Sequence, residues 1–182
     1  MKKKIIIDCD PGHDDAVAIM LAASNKTIDI LGITCVGGNS TLENTKLNAL
    51  KICSLIGRTD IPIYAGENRP MKFELVTAPH VHGKSGLDID GAPIEVENNY
   101  FIKDMHAVDF IIETCHSQSE SIYLCPTGPL TNIALALQKD FTITKKIKEI
   151  VFMGGAALSL GNITPSAEFN IYVDPHAANI VL

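Results

Sequence analysis

Four aspartates, Asp8, Asp10, Asp14 and Asp15, crowd into eight positions of the stretch IIIDCDPGHDDAVAI. They lie between two apolar runs, so their charge falls at the end of a buried element. Crowded carboxylates repel one another, and a divalent cation among them removes the repulsion. The donors available there are carboxylates, backbone carbonyls and water. Such oxygens favour calcium or magnesium over zinc, which takes His and Cys. Gly12 lets the chain turn sharply, so carboxylates on both sides of the turn can face one point. Asp14 and Asp15 adjoin a helix start, where negative charge is favoured. A plain capping role accounts for Asp14 taken alone, but not for four aspartates together around a Pro-Gly pair.

The surrounding pattern says what must position these groups. Residues 4–8 read as a short buried strand and 14–23 as a helix. Residues 28–36 are rich in β-formers and end in Gly37-Gly38. Ser40-x-x-Glu43 reads as a capping box opening a helix through Ile56. Residues 61–64 form a third strand, and 66–99 a long loop rich in Gly, Pro and Asp. Asp104 reads as the cap of the next helix, whose apolar positions follow helical spacing. Residues 121–125 form a strand, a helix starts near Pro129, 148–153 form a strand, and Asp174-Pro175 opens a last helix. Strands alternating with helices predict an α/β fold: an open, mostly parallel sheet with helices on both faces. Ligands of such sheets bind at the carboxyl ends of the strands. The polar residues collect there: the aspartates, Asn39, Thr127, and beyond the 148–153 strand Met153, Asn162, Glu168 and Asn170. Each has an ordinary reading alone. Asn39 fits a turn, Thr127 and Asn132 the start of a helix, Met153 the core, and His80 and His82 an exposed loop. Their shared location points to a site.

Composition narrows the classes. The chain has 182 residues, a formal net charge of -6 and no basic cluster beyond Lys2–Lys4, which excludes an electrostatic footprint for nucleic acid. The apolar run Ile5–Ile7 is too short for a secretory signal core, and no stretch has the length of a membrane span. Cys9, Cys35, Cys53, Cys115 and Cys125 form no CxxC pair and have mostly apolar neighbours. They read as reduced, buried thiols in a cytoplasmic protein.

Six blocks in order carry a resemblance: DCDPGHDDAVAI, VGGNSTLENTKLNAL, VHGKSGLDIDG, CPTGPLTNIALAL, IVFMGGAA and GNITPSAEFNIYVDPHAA. Together they resemble the inosine-uridine nucleoside hydrolases, enzymes that split the N-glycosidic bond of a ribonucleoside into ribose and free base. The resemblance implies bound calcium, with Asp10, Asp15 and the Thr127 backbone carbonyl as ligands. It implies that Asp10 is the base that deprotonates the calcium-bound water. Asp14, Asn39, Asn162, Glu168 and Asn170 match positions that hold the ribose hydroxyls. Met153 matches a residue near the sugar ring, His82 lies on the loop over the nucleobase, and Asp8 supports the site. It further implies a homo-oligomer, dimer or tetramer, a role in nucleoside salvage, and preference for ribonucleosides over deoxyribonucleosides. Only somewhat more than the family's first half is matched. Residues 1–182 are therefore expected to form a single nucleoside-hydrolase domain incomplete at its C-terminus, without a further aspartate of the site. The alternative is an inactive calcium- and nucleoside-binding fragment. Asp8-x-Asp10 also resembles the start of haloacid-dehalogenase-type phosphotransferases, but Pro11-Gly12 and Asp14-Asp15 break that pattern.

Overall fold

The computed structural model describes residues 2–91 and 93–182. Its centre is a parallel sheet of strands β1 (Lys3–Cys9), β2 (Ile28–Cys35), β3 (Ile63–Ala65), β4 (Ile122–Pro126) and β5 (Ile147–Ile150), in the order β3-β2-β1-β4-β5. The helices are α1 (His13–Ser24), α2 (Leu42–Leu55), α3 (Pro79–His82), α4 (Ala107–Ser117), α5 (Thr131–Lys139), α6 (Phe169–Val173) and α7 (Pro175–Val181).

The period of a strand sends alternate side chains to opposite faces. In β1, Ile5, Ile7 and Cys9 pack on one side with Ala16 and Ile19 of α1 and Ala49, Leu50, Ile52 and Cys53 of α2. Ile6 packs on the other side with Val108, Phe110 and Ile111 of α4 and Ile133, Ala136 and Leu137 of α5. The expected two-faced α/β architecture is present. The chain builds outward from β1 to β3, crosses back to place β4 beside β1, and then adds β5. Strand order thus reverses between β1 and β4, and the aspartates leave β1 at that point. Among the described residues, no helix is long and apolar enough to cross a membrane.

Several local expectations are corrected. Helix α2 is capped at Thr41 and not at Ser40. Ser40 Oγ instead accepts from Asn44 Nδ2 at 2.9 Å, and Glu43 pairs with Lys46 at 2.8 Å, so neither half of the capping box forms. Helix α4 is capped by His106, whose Nδ1 accepts from the Val108 amide at 3.3 Å; Asp104 lies outside it. Strand β5 stops at Ile150. Residues 151–153 still follow β4 through bonds from the Val151 and Met153 amides to the Leu124 and Pro126 carbonyls, both 2.9 Å. The third strand begins at Ile63, and α5 at Thr131. The long stretch after Gly66 contains α3, and α6 was not anticipated.

The Asp174 cap does form, and it does more than start α7. Its Oδ1 accepts from the Ala177 amide at 3.0 Å, while Oδ2 accepts from the Met71 amide at 2.9 Å and Thr131 Oγ1 at 2.7 Å. This fully buried carboxylate joins α7, α5 and the loop after β3. Truncation leaves three donors unpaired. Asp174→Ala is expected to lower stability by about 2–4 kcal/mol, read from urea unfolding. Glu43→Ala, which removes an exposed ion pair, should cost less than about 0.5 kcal/mol in the same assay.

Candidate active site

Strand β1 delivers Asp8 and Asp10 to the crevice beside β4, and the Pro11-Gly12 turn brings Asp15 back over it as the third residue of α1. Asp8, Asp10 and Asp15 are 0%, 0% and 2% exposed. Asp8 Oδ1 accepts from Thr34 Oγ1 at 2.6 Å and from Asn132 Nδ2 at 2.8 Å. Asp10 Oδ2 accepts from the Asn39 amide at 2.6 Å. Asp15 accepts from Thr127 Oγ1 at 2.6 Å and from the Gly12 amide at 3.1 Å. Two buried oxygens, Asp8 Oδ2 and Asp10 Oδ1, have no hydrogen-bond partner among the described residues. The backbone crowds Asp10 closely: a Cβ on Gly128 would lie 2.6 Å from its Oδ1, and one on Gly38 would overlap its Oδ2. Glycine at both positions makes the room this carboxylate needs.

A small cleft opens above these carboxylates. It has a volume of about 90 Å³ and is lined by Asp14, Asn39, His82, Thr127, Met153, Asn162, Glu168 and Asn170, with Ala78 and Phe169. Every residue expected to face the sugar or base therefore borders one cavity, and Asp10 and Asp15 lie against two of its walls, Asn39 and Thr127. The walls are cross-linked. Asn170 Nδ2 donates to the Thr127 carbonyl at 2.8 Å and to the Met153 carbonyl at 3.0 Å. Glu168 caps α6 and takes the Gly155 amide at 3.0 Å. Asn162 Oδ1 accepts from the Phe169 amide at 2.8 Å. His82 stacks on His13 with ring centroids 5.6 Å apart, and its Nδ1 lies 3.4 Å from both the His13 amide nitrogen and His13 Nδ1.

Burial dominates the electrostatics. It pushes Asp8 up to about 7, against hydrogen bonds from Asn132 and Thr34 that favour the carboxylate. Asp15 is likewise pushed up to about 7, first by burial, against its bond from Thr127. Asp10 is raised well above the usual carboxylate range by burial and then by the charge of Asp15. Burial lowers His82. No ion pair among the described residues involves Asp8, Asp10 or Asp15.

Among the described residues, no group of three His, Cys, Asp or Glu side chains is arranged to hold a metal ion. The implied ligand set is of another kind: two carboxylates and a backbone carbonyl. Its chemistry fits a hard cation, because all donors are oxygen, one buried Asp10 oxygen has no partner, and the Thr127 carbonyl has a second lone pair beside its Asn170 bond.

Sequence reasoning missed the residues beneath the site. Thr34 pairs in register with Asp8 across β1 and β2, a relation visible only once the strands are aligned. Asn132 fits a helix start and shares the location of the site in the sequence, but its partners are not legible there. Its Nδ2 bonds Asp8 and the Cys35 carbonyl, and its Oδ1 takes the Glu67 amide at 2.9 Å. Phe169 and Ala78 carried no polar signal.

Comparison with known proteins places the chain in a family. Residues 5–182 match the family described as inosine-uridine preferring nucleoside hydrolase. The pyrimidine-specific ribonucleoside hydrolase RihB of Escherichia coli is 48% identical over 180 residues, which are 99% of this chain and 56% of RihB. A plant nucleoside hydrolase structure superposes with a TM-score of 0.92 at 37% identity, covering 100% of this chain and 57% of its own. A purine-preferring ribonucleoside hydrolase from Gardnerella vaginalis superposes with a TM-score of 0.91 at 36% identity, covering 98% and 57%. The chain belongs to the inosine-uridine preferring nucleoside hydrolase family, and it spans 56–57% of the length of these relatives.

The raised carboxylates dictate an unusual pH response. Asp8 and Asp15 keep their protons to about pH 7 when folded and release them near 3.8 when unfolded. Between those values the folded state binds more protons, so its stability must fall as pH rises. In a chelating buffer, urea unfolding at successive pH values should show a decline from about pH 4 to about pH 7. A rise over that window would show that these carboxylates are not destabilised by burial.

Proposed function

We propose that this chain forms the ribose-binding and catalytic half of a calcium-dependent ribonucleoside hydrolase, which cleaves the N-glycosidic bond to give ribose and free base. One observation carries the reading. A single cleft gathers Asp14, Asn39, Asn162, Glu168 and Asn170 above a buried Asp10 whose Oδ1 has no partner.

In this reading Asp10, Asp15 and the Thr127 carbonyl hold calcium. Calcium held there would supply the positive charge that keeps both carboxylates ionised and would hold a water for attack. Asp10 would also serve as the general base toward that water. Asp14, Glu168 and the three asparagines offer the donors and acceptors that ribose hydroxyls require. Their oxygens also face the positive charge that develops on the sugar in an oxocarbenium-like transition state. A site built on such bonds rejects sugars lacking a hydroxyl, because its own polar groups are then left unpaired. His82, at the end of α3, flanks the base side, and Met153 lies against the sugar ring. Five free cysteines, four of them buried and Cys125 half-buried, support a reducing compartment, the cytoplasm.

The span of 56–57% of the relatives' length supports a second reading, in which residues 1–182 form an incomplete nucleoside-hydrolase domain that binds calcium and nucleoside without turnover. Ribose release separates the two. The purified chain is incubated with inosine, uridine and 2′-deoxyinosine, with calcium and with a chelator. Hydrolysis predicts ribose and free base from the two ribonucleosides in calcium only, and little free base from 2′-deoxyinosine. Asp10→Ala should then lower the rate by roughly 10²–10⁴-fold, the contribution of a general base. Calcium-dependent nucleoside binding without ribose establishes the second reading, and absence of both refutes the site.

A further inference from the structure

His82 enters the cleft from α3, and the turn that follows it, residues 83–88, contributes little to the core. Leu87 is its one buried apolar side chain. The turn is instead held by hydrogen bonds. From within, the Asp88 carboxylate accepts from the Lys84 amide at 2.9 Å and the Ser85 amide at 3.0 Å, and also from Ser85 Oγ. From the body of the protein, three side chains reach its carbonyls. Asn44 Nδ2 donates to Lys84 O at 3.3 Å, Asn48 Nδ2 to Ser85 O at 2.9 Å, and His13 Nε2 to Asp88 O at 2.8 Å. Gly86, at φ +80°, presses its backbone against Ser40 and Asn48, where a side chain would collide.

Asn48 differs from the other two. It is 1% exposed in the middle of α2, and the same Nδ2 also donates to the Pro11 carbonyl at 3.1 Å. Pro11 lies in the turn between Asp10 and Asp15. One buried amide therefore joins the backbone of the acidic turn to the backbone of the turn that follows His82. Asn is a poor residue for a helix interior and costly to bury, so a hydrophobic residue would serve α2 better if packing were the only demand.

We propose that Asn48 is a positioning residue, which fixes His82 over the cleft by clasping the His82 turn to the acidic turn. Its ligand, a nucleoside, rests on the function proposed above; its mechanics rest on the hydrogen bonds alone. Asn48 touches no reacting atom. Its loss leaves the carboxylates in place and frees the wall that His82 supplies.

The test is Asn48→Ala in the full chain, read three ways. Losing both bonds should speed tryptic cleavage after the exposed Lys84 by about tenfold. The imidazole resonances of His82 should shift or broaden, while those of His116, paired with Asp140 at 2.7 Å, stay unchanged. For inosine and uridine, KM should rise about tenfold with kcat changed less than about twofold, or the dissociation constant should rise as much where turnover is absent. Asn48→Ser keeps one short donor and replaces the alanine variant if that does not fold. A folded variant with wild-type Lys84 cleavage and wild-type His82 resonances overturns the proposal. So does a lowered kcat at unchanged KM, the mark of a smaller folded fraction. A wild-type chain that binds no nucleoside refutes the functional reading, and the protease and resonance readouts still decide on Asn48.

Discussion

The structure depends on one electrostatic demand: three carboxylates buried side by side at the point where strand order reverses. Among the described residues, Asp8, Asp10 and Asp15 have neither solvent nor an ion pair to stabilise their charge. Their hydrogen-bond donors are neutral: the hydroxyls of Thr34 and Thr127, the amide of Asn132, and the backbone N–H groups of Gly12 and Asn39. A lysine or arginine in the crevice would hold the carboxylates ionised permanently and fill the space a ligand needs. Neutral donors orient the oxygens and leave their charge uncompensated. That choice makes the site costly to fold and receptive to a cation, and the two consequences have the same cause.

The neighbouring residues meet this cost by serving two elements at once. Asn132 sits at the start of α5, yet bonds to β1, to the end of β2 and to Glu67 after β3. Glu168 is both a helix cap and a wall of the cleft. Asn170 binds the carbonyls that follow β4 and β5 and so keeps two strand ends in register beyond the sheet. Rigidity in this region comes from side chains that bridge backbone segments, not from a continuous apolar core. The two main cores lie on the two faces of the sheet, below the level of the site.

The parts legible in the sequence are those fixed by local pattern. The apolar strands, the α/β alternation, the acidic turn and the Asp174 cap all follow from residues close in sequence. So does the gathering of polar residues at strand ends, because parallel topology sends all those ends the same way. The errors arise where a long-range partner overrides a local motif. Ser40 fits a capping box, but Asn44 and the packed turn at Gly86 claim its side chain, and the helix begins one residue later than that box requires. Asp104 fits a cap, but His106 takes that place. Residues 151–153 read as strand because they run along β4, yet they leave the regular ladder as the chain turns toward Gly154 and Gly155. Thr34, and the role of Asn132, escape the sequence for the same reason: their partner Asp8 is 26 and 124 residues away.

The two halves of the cleft are therefore written in different ways. The acidic half needs charge at fixed positions, and charge is conspicuous in an apolar context. The His82 half needs a backbone turn held in place, and carbonyl oxygens are present at every residue. Only the donors that reach those carbonyls leave a trace, as Asn44 and Asn48 spaced one helical turn apart on α2. An asparagine inside a helix contradicts local propensity, and where it is also buried the contradiction must be resolved by a partner elsewhere. In α2 the partners are the Lys84, Ser85 and Pro11 carbonyls. The same rule applies to Asn132, buried in the first turn of α5 with its amide turned inward to Asp8. Buried asparagines in helices thus mark, from the sequence, where this fold ties its site together, although they do not say to what.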